Sequence, residues 1–484
     1  MYRKKQLVEV EIVDLADKDL CFGKLADGIA VFVQGPAAVG DLVRAEIFKI
    51  KKRHLVARLR EVLRPSPHRI EPRCPLFGTC GGCKWQHMDY AEQLRLKRKQ
   101  VADALEHVGG FDDVACEPCL PADPIFGYRN KMDFSFTDLR YLPSDEIDLD
   151  PSEHEKPIDF ALGFHAPGCY AKALDLDRCD LATDDTNLVL DVVREVCLRH
   201  RDDLPVYSTR THAGELRNLV VRHAGRTGEL MVNLLTSTHL PAAMTDLRDA
   251  LLAALGDRLT TFVNGVTSAK NTVAFSQREH VLHGPGFIVD RLENLSFRIS
   301  PNSFFQTNTA QAEILYRLVA EFADPRPDHV VYDLFCGAGS ITLFLADRCR
   351  KLLGIELVES AVADARANAE RNGIENVEFR QLDLKDVRRI AGDLQAFGRP
   401  DLVVTDPPRA GMHPKALAFL RQIAPPAIVY VSCNPASLAR DARLLCEDGL
   451  YRLVRCRPVD LFPQTNHVET VARFERTLPP TSIA

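Results

Sequence analysis

Ile428-Val-Tyr-Val431 is an apolar run that stops at Ser432-Cys433-Asn434-Pro435, after which a helix-like segment begins. A thiol that only filled a core would lie inside such a run. Cys433 lies just past it, at the strand end where α/β folds carry their chemistry, and a thiolate there is a nucleophile. A second group of candidate residues lies upstream. Tyr332-Asp-Leu-Phe335-Cys336-Gly337-Ala-Gly339-Ser340 reads as a strand, a Gly-x-Gly turn and the start of a helix, and glycines there let backbone approach a ligand closely. The third glycine of a dinucleotide fingerprint is replaced in Gly337-Ala-Gly339-Ser-Ile-Thr342, which argues against NAD. No Gly-Lys-Ser/Thr element is present, which argues against a triphosphate cradle. Glu356 ends the run Leu352-Leu-Gly-Ile355, seventeen residues after Gly339, where a carboxylate accepts from ribose hydroxyls. Asp383 ends the next run, in reach of an adenine edge, and Asp406 ends Leu402-Val-Val-Thr405. Singly each carboxylate reads as a helix cap. Three at successive strand ends point to an adenosine-containing cofactor.

A third set is Cys74-x5-Cys80-x2-Cys83. Three thiols in ten residues of a reducing compartment point to metal. The spacing is not the Cys-x3-Cys-x2-Cys of radical enzymes. A four-thiolate site needs one more ligand, Cys169 in Ala166-Pro-Gly-Cys169 or Cys179 in Leu176-Asp-Arg-Cys179, and suits zinc or a [4Fe–4S] cluster. Cys116 and Cys119 form a Cys-x2-Cys pair with no second pair, and read as ordinary thiols; Cys336 reads as packing.

Elements must hold these residues. Residues 6–63 alternate apolar and polar positions between Gly/Asp turns, which predicts four or five strands of a small β-barrel. A linker with four prolines follows at 64–75. Residues 74–300 mix strands and helices, and the acidic stretch 141–159 reads as a surface insertion. From about 301 strands alternate with helices, which predicts a parallel sheet covered on both faces. The expected fold is thus multidomain: an OB-like barrel over 1–64, a mixed α+β central domain over 65–299, and a Rossmann-like α/β domain over 300–484.

Apolar content of 46% and charged content of 26% are those of a soluble globular protein. There is no apolar run of membrane-spanning length, and the N-terminus lacks the pattern of a signal peptide, so a cytoplasmic location is expected. The net charge is −6, yet residues 1–100 carry 20 Lys+Arg against 12 Asp+Glu. The clusters Lys49, Lys51, Lys52, Arg53 and Arg95, Lys97, Arg98, Lys99 suit a polyanion partner, or else are solvated faces.

Asp333-Leu-Phe-Cys-Gly-Ala-Gly-Ser340, Gly354-Ile-Glu356, Thr405-Asp-Pro-Pro-Arg409, Ser432-Cys-Asn-Pro435, Asn466-His-Val-Glu469 and Ser300-Pro-Asn-Ser-Phe-Phe-Gln306 together resemble the motif series of the S-adenosylmethionine-dependent RNA 5-methyluridine methyltransferases, of the 23S ribosomal RNA type. The resemblance implies Cys433 as the nucleophile that adds to uracil C6 and Glu469 as the base that removes the C5 proton, with His467 a weaker rival. It implies cofactor contacts at Gln306, Phe335, Ser340, Glu356, Asp383 and Asp406; family members often carry Asn where Ser340 stands. It implies a [4Fe–4S] cluster on Cys74, Cys80, Cys83 and Cys179, an RNA-binding TRAM barrel, and RNA facing Arg129 and Lys131. A flipped target base is expected, with Phe304 or Phe305 lining the emptied space. The helix after Cys433 is expected to favour its thiolate. No membrane or obligate protein partner is expected, and the chain reads as a monomer. The T-loop of transfer RNA, a cytosine target and a non-catalytic RNA-binding role are the competing readings.

Overall fold

The computed structural model describes residues 2–16, 20–143, 146–150, 152–271, 273–385, 394 and 396–477. The alternation near the N-terminus builds β1 (Leu7–Ala16), β2 (Leu20–Lys24), β3 (Ala30–Gln34), β4 (Leu42–Ile50) and β5 (His54–Arg64). They close into a barrel in the order β1-β2-β3-β5-β4. Val10, Val31, Val33, Val43, Ile47 and Leu55 fill its interior because successive side chains point to opposite faces.

Helix α1 (Tyr90–Ala104) follows, capped by Asp89, whose side chain accepts from the Glu92 N–H. It overturns half of the polyanion expectation. Lys97 is fully buried and donates to Asp460 at 2.5 Å. Arg95 pairs with Glu92, Lys99 with Asp14 and Asp103, and Arg98 donates to the Cys116 carbonyl. The helix lies between the barrel and the C-terminal sheet, so its cations neutralise carboxylates of the surfaces it packs on.

The central sheet is built from β6 (Lys131–Thr137), β7 (Ala161–His165), β8 (Ala173–Asp175), β9 (Leu216–His223), β10 (Leu230–Thr236), β11 (Leu259–Val266) and β12 (Arg278–His283). Its order is β12-β11-β10-β9-β6-β7-β8. Helices α2 (Asp184–Arg199) and α3 (Pro241–Leu255) bury Val189, Val193, Leu247 and Leu251 in its core. β6 pairs with β9 over Lys131–Ser135 and with β7 only over Ser135–Thr137, so the stretch carrying Lys131 is paired on one side. Within the acidic stretch 141–159, positions 144, 145 and 151 lie outside the described residues; the rest closes over Arg140, which donates to Glu146 and to the carbonyls of Lys156 and Pro157.

The hairpin β13 (Ile288–Leu292) and β14 (Leu295–Ile299) packs with helix α4 (Thr309–Ala323) in the C-terminal core, through Ile288, Leu292, Phe297 and Leu315. Packing thus joins this hairpin to the residues beyond 300. The C-terminal strands are β15 (Val330–Leu334), β16 (Lys351–Glu356), β17 (Val377–Gln381), β18 (Leu402–Thr405), β19 (Ala427–Ser432), β20 (Tyr451–Val459) and β21 (Glu469–Arg476). With them come α5 (Ser340–Leu345), α6 (Glu359–Arg371), α7 (Pro414–Ile423) and α8 (Pro435–Cys446). The sheet order is β17-β16-β15-β18-β19-β21-β20, parallel from β17 to β19, with β21 antiparallel to both neighbours. The parallel expectation therefore holds for five strands and fails at the last two, where a reversed pair closes the edge. No helix among the described residues is long and apolar enough to cross a membrane.

Candidate active site

Strand order reverses between β15 and β18, and the crevice beyond the carboxyl ends at such a point is where open α/β sheets bind ligands. A cleft of about 1340 Å³ opens there, larger than a pocket for one small molecule. Gln306, Phe335, Ser340, Glu356, Asp383, Asp406, Cys433 and Glu469 all line it. The sheet's five parallel strands each deliver one of these residues at or just beyond the carboxyl end.

The turn after β15 is built for close approach. Phe335, Gly337 and Gly339 all have positive φ. A Cβ on Gly339 would stand 2.8 Å from the Phe379 ring, whereas one on Gly337 would meet nothing within 4 Å, so this stretch of backbone faces open space. Glu356 accepts from the N–H groups of Gly337, Leu357 and Val358 at 2.8–3.1 Å, which fixes its carboxylate at the turn. Asp383 is half-buried and accepts from the Lys385 N–H. Ser340 Oγ lies 2.9 Å from the hydroxyl of buried Tyr316. Two lining groups were not singled out in the sequence. Asp333 is fully buried, bonded by Thr342 through one oxygen and by nothing through the other. Burial pushes its carboxyl up to about 7. Arg409, in the Asp-Pro-Pro-Arg motif, is the second. Both stand inside stretches the motifs already marked, but which side chain turns inward is a matter of packing.

Cys433 and Glu469 meet because β21 runs backwards. Ser432 pairs with Thr470, so the residue after one strand end and the residue that starts the other become neighbours. Asn434 explains the Asn-Pro turn. Its side chain caps α8 by accepting from the Ala436 N–H at 3.1 Å, and its amide donates to the Arg409 carbonyl at 2.9 Å. Arg409 in turn lies 2.9 Å from His467 Nδ1. The expectation of a ready thiolate is not met. Burial, then the negative charges of Glu469 and Asp406, push the Cys433 thiol up to about 11, against the pull of Arg409. Burial and Asp406 also hold the Glu469 carboxyl well above the usual range, and burial pushes Asp406 up to about 7. His467 is pushed down to about 4 by burial and Arg409, which makes it a poor base at neutral pH. Phe305 is buried against Phe297, whereas Phe304 is exposed and lines the cleft. Arg129 lines it too.

The cysteine loop gathers as well. Burial, with the neighbouring thiols Cys179, Cys80 and Cys74, pushes Cys83 up to about 12, and Cys80 likewise feels Cys74. Cys179 feels Cys80. The four thiols thus lie near enough for their charges to act on one another, although among the described residues no three His, Cys, Asp or Glu are grouped to hold a single metal ion. Gly82, between Cys80 and Cys83, lines the cleft. Cys116 and Cys456 are bridge partners from distant segments, both buried.

Comparison with known proteins agrees with this architecture. A family profile described as tRNA (Uracil-5-)-methyltransferase matches residues 227–477, and a TRAM domain profile matches residues 3–59. An uncharacterized RNA methyltransferase of Chlorobaculum tepidum is 50% identical over 98% of this chain and 97% of its own length. One of Porphyromonas gingivalis is 40% identical over 96% of this chain and 99% of its own. Among solved structures, the Pyrococcus abyssi tRNA (uracil-54, C5)-methyltransferase in complex with S-adenosyl-L-homocysteine superposes with a TM-score of 0.73 at 30% identity, covering 96% of this chain and 99% of that one. A barrel of the TRAM type, a cofactor turn beside a cysteine strand end, and full-length relatives of this kind place the chain in the family of S-adenosylmethionine-dependent RNA uracil-C5 methyltransferases.

Proposed function

We propose that the protein methylates C5 of a uridine in structured RNA through a temporary bond from Cys433 to C6, resolved by Glu469. The observation that carries this reading is the meeting of Cys433 and Glu469 at the β19–β21 junction, in the cleft that Glu356, Asp383 and Asp406 also line. Uracil C5 is a weak nucleophile. The Cys433 thiol loses its proton to solvent as its sulfur adds to C6, and C5 becomes enolate-like. C5 then takes the methyl group of the sulfonium substrate, whose S–CH3 bond breaks to leave S-adenosylhomocysteine. Glu469 removes the C5 proton, the C6–S bond breaks, and the departing thiolate takes that proton back from Glu469, which restores both groups. One proton is released per methyl transferred. A raised carboxyl suits Glu469 for this step, because a base works best with a pKa near the working pH. Gln306, Phe335, Ser340, Glu356, Asp383 and Asp406 are assigned to the methyl donor, and Gly337's open face and the unpartnered Asp333 oxygen fit a ligand in contact with this turn.

The experiment is trapping. RNA containing 5-fluorouridine has no C5 proton to lose, so the parent protein accumulates a covalent adduct with it and Cys433→Ala does not. Glu469→Gln accumulates the adduct on ordinary RNA, with turnover reduced at least about a hundredfold. Turnover by Cys433→Ala at the parental rate, or recovery of 5-methylcytidine, would overturn the reading.

Large-subunit ribosomal RNA is the proposed substrate, on the strength of the cysteine loop and the central sheet. Transfer RNA is the second reading: the Pyrococcus relative, similar along its whole length, is a tRNA (uracil-54, C5)-methyltransferase. Nucleoside analysis after incubation with each undermodified RNA separates them. A [4Fe–4S] cluster on Cys74, Cys80, Cys83 and Cys179 belongs to the same proposal. Four soft thiols near enough for their charges to act on one another are the ligand type such a cluster takes. Bound there, the cluster would tie the loop carrying Gly82 to the segment after β8, and the methyl transfer does not pass through it. The division at 64 and 299 remains part of the reading, with the β13–β14 hairpin assigned by packing to the methyltransferase part.

A further inference from the structure

Tyr316 is a buried side chain that the methylation scheme does not use. It belongs to α4, which Asn308 caps by accepting from the Gln311 N–H, and its ring meets Phe344 of α5 edge-on, with centroids 5.8 Å apart. A phenylalanine would fill that space between the two helices equally well. A tyrosine adds a hydroxyl in an apolar site, and a buried hydroxyl is costly unless it is hydrogen-bonded. Both partners it finds belong to the cleft. Its oxygen lies 2.9 Å from Ser340 Oγ, and it has a side-chain hydrogen bond with Gln306. Asn130 donates to the Gln306 carbonyl at 2.9 Å, so the backbone there is fixed and the side chain is left to Tyr316. Ser340 and Gln306 are half-buried, and among the described residues neither side chain has another hydrogen-bond partner.

A tyrosine hydroxyl has one hydrogen to give. Where it donates to Ser340 and accepts from the Gln306 amide, the Ser340 hydrogen and the Gln306 side-chain oxygen are left free. Where it donates to the Gln306 oxygen and accepts from Ser340, the Gln306 amide hydrogens and the Ser340 lone pairs are left free. In both arrangements the chain Gln306–Tyr316–Ser340 offers the cleft a donor at one end and an acceptor at the other. Glu356 and Asp383 suit the ribose hydroxyls and the adenine edge of the methyl donor. The part left over is an amino acid with one ammonium and one carboxylate. An acceptor beside a donor matches that zwitterion. We propose that Tyr316 is a positioning residue for the methyl donor: its hydroxyl fixes Gln306 and Ser340 so that they hold the donor's amino-acid end. The hydroxyl is spent on these two side chains, so Tyr316 acts through them. This rests on the assignment of Gln306 and Ser340 to the methyl donor, and adds which part of it they take and what orients them.

The test uses the full chain and two ligands, read by titration calorimetry: S-adenosylhomocysteine, which carries the amino-acid end, and methylthioadenosine, which lacks it. Tyr316→Phe keeps the ring and removes the hydroxyl. It is expected to weaken S-adenosylhomocysteine about fivefold, the size of one lost hydrogen bond, and to leave methylthioadenosine at parental affinity. KM for S-adenosylmethionine is expected to rise by the same factor, with kcat at saturating donor and KM for RNA parental. Ser340→Ala, which leaves the buried ring in place, is expected to show the same ligand split. The double variant is expected to lose less than the product of the two single losses, because both removals break one chain. Parental affinity for S-adenosylhomocysteine in either single variant, an equal loss for both ligands, or single losses that multiply would overturn the proposal. A lower melting temperature with parental affinity marks a hydroxyl that serves packing alone, and overturns it too. A parent protein that binds S-adenosylhomocysteine and makes no 5-methyluridine sinks the uracil reading and leaves this one standing.

Discussion

At neutral pH the free protein holds the Cys433 thiol, pushed up to about 11, as a thiol, and burial with the charge of Asp406 holds the Glu469 carboxyl well above its usual range. An ionised Glu469 raises the thiol, so the pocket accepts one negative charge more readily than two. Both groups act when deprotonated, and both are raised, so kcat/KM for RNA is expected to climb as pH rises from 6 to 9. A flat profile measured over that range would contradict this. Arg409 is the cation that pulls both groups down. Arg409→Gln is therefore expected to move the profile to higher pH and to lower kcat at pH 7.5 about tenfold, with KM for the methyl donor little changed. Asp333 gives a stability signature instead. Its carboxyl ordinarily ionises near 3.8 and in the fold near 7. Below about pH 4 both states keep the proton; between 4 and 7 only the unfolded chain loses it, so stability falls as pH rises and the loss is complete above 7. Asp333→Asn removes that dependence. Its melting temperature relative to the parent is expected to be about 5 °C higher at pH 8.5 than at pH 4.5.

At the scale of elements, α1 acts as a clamp on the segment that leads to the site. Lys97 donates to Asp460 and to the Phe462 carbonyl, Tyr90 donates to Asp460 at 2.9 Å, and Gln93 exchanges hydrogen bonds with Gln464. These contacts fix residues 460–464, just before His467 and Glu469. A buried charge that loses its partner is costly, so Lys97→Met is expected to destabilise the fold by about 3–5 kcal/mol in denaturant unfolding. Pairing it with Asp460→Leu is expected to recover part of that, because an apolar pair leaves no charge uncompensated. Equal stability of the single and double variants would remove the clamp from this account. The Arg95–Lys99 run looked in sequence like the Lys49–Arg53 run. Composition cannot tell a charge that meets a carboxylate across an interface from one that meets water.

At the scale of the whole molecule, the cysteine loop, the central domain and the sheet ends converge on one cleft, which Gly82 and Arg129 line together with Cys433. A cluster on the four thiols is expected to give equal iron and sulfide after anaerobic purification. Cys179→Ser is expected to lose both and to lower the affinity for RNA, whereas Cys169→Ser keeps them. Zinc without sulfide would overturn the cluster while leaving the methylation reading intact. The two cysteines are equivalent candidates by spacing. In the fold Cys179 lies near enough to Cys80 and Cys83 for their charges to act on one another.

The barrel was legible in alternation, the parallel strands in their apolar runs, and the candidate residues in their positions at strand ends. Each is a local property: a strand's period and a turn's glycines depend on neighbours in the chain. The antiparallel return of β21 was not legible, and it alone puts Glu469 beside Cys433. Nor was the inward turn of Lys97, the isolation of Asp333, or the protonated thiol. Those depend on what lies across space, because desolvation and charge act through packed atoms and not along the sequence. The amino-acid order by itself determined which side chains were available for chemistry; the tertiary structure decided which of them share a cleft and what state of protonation they hold there.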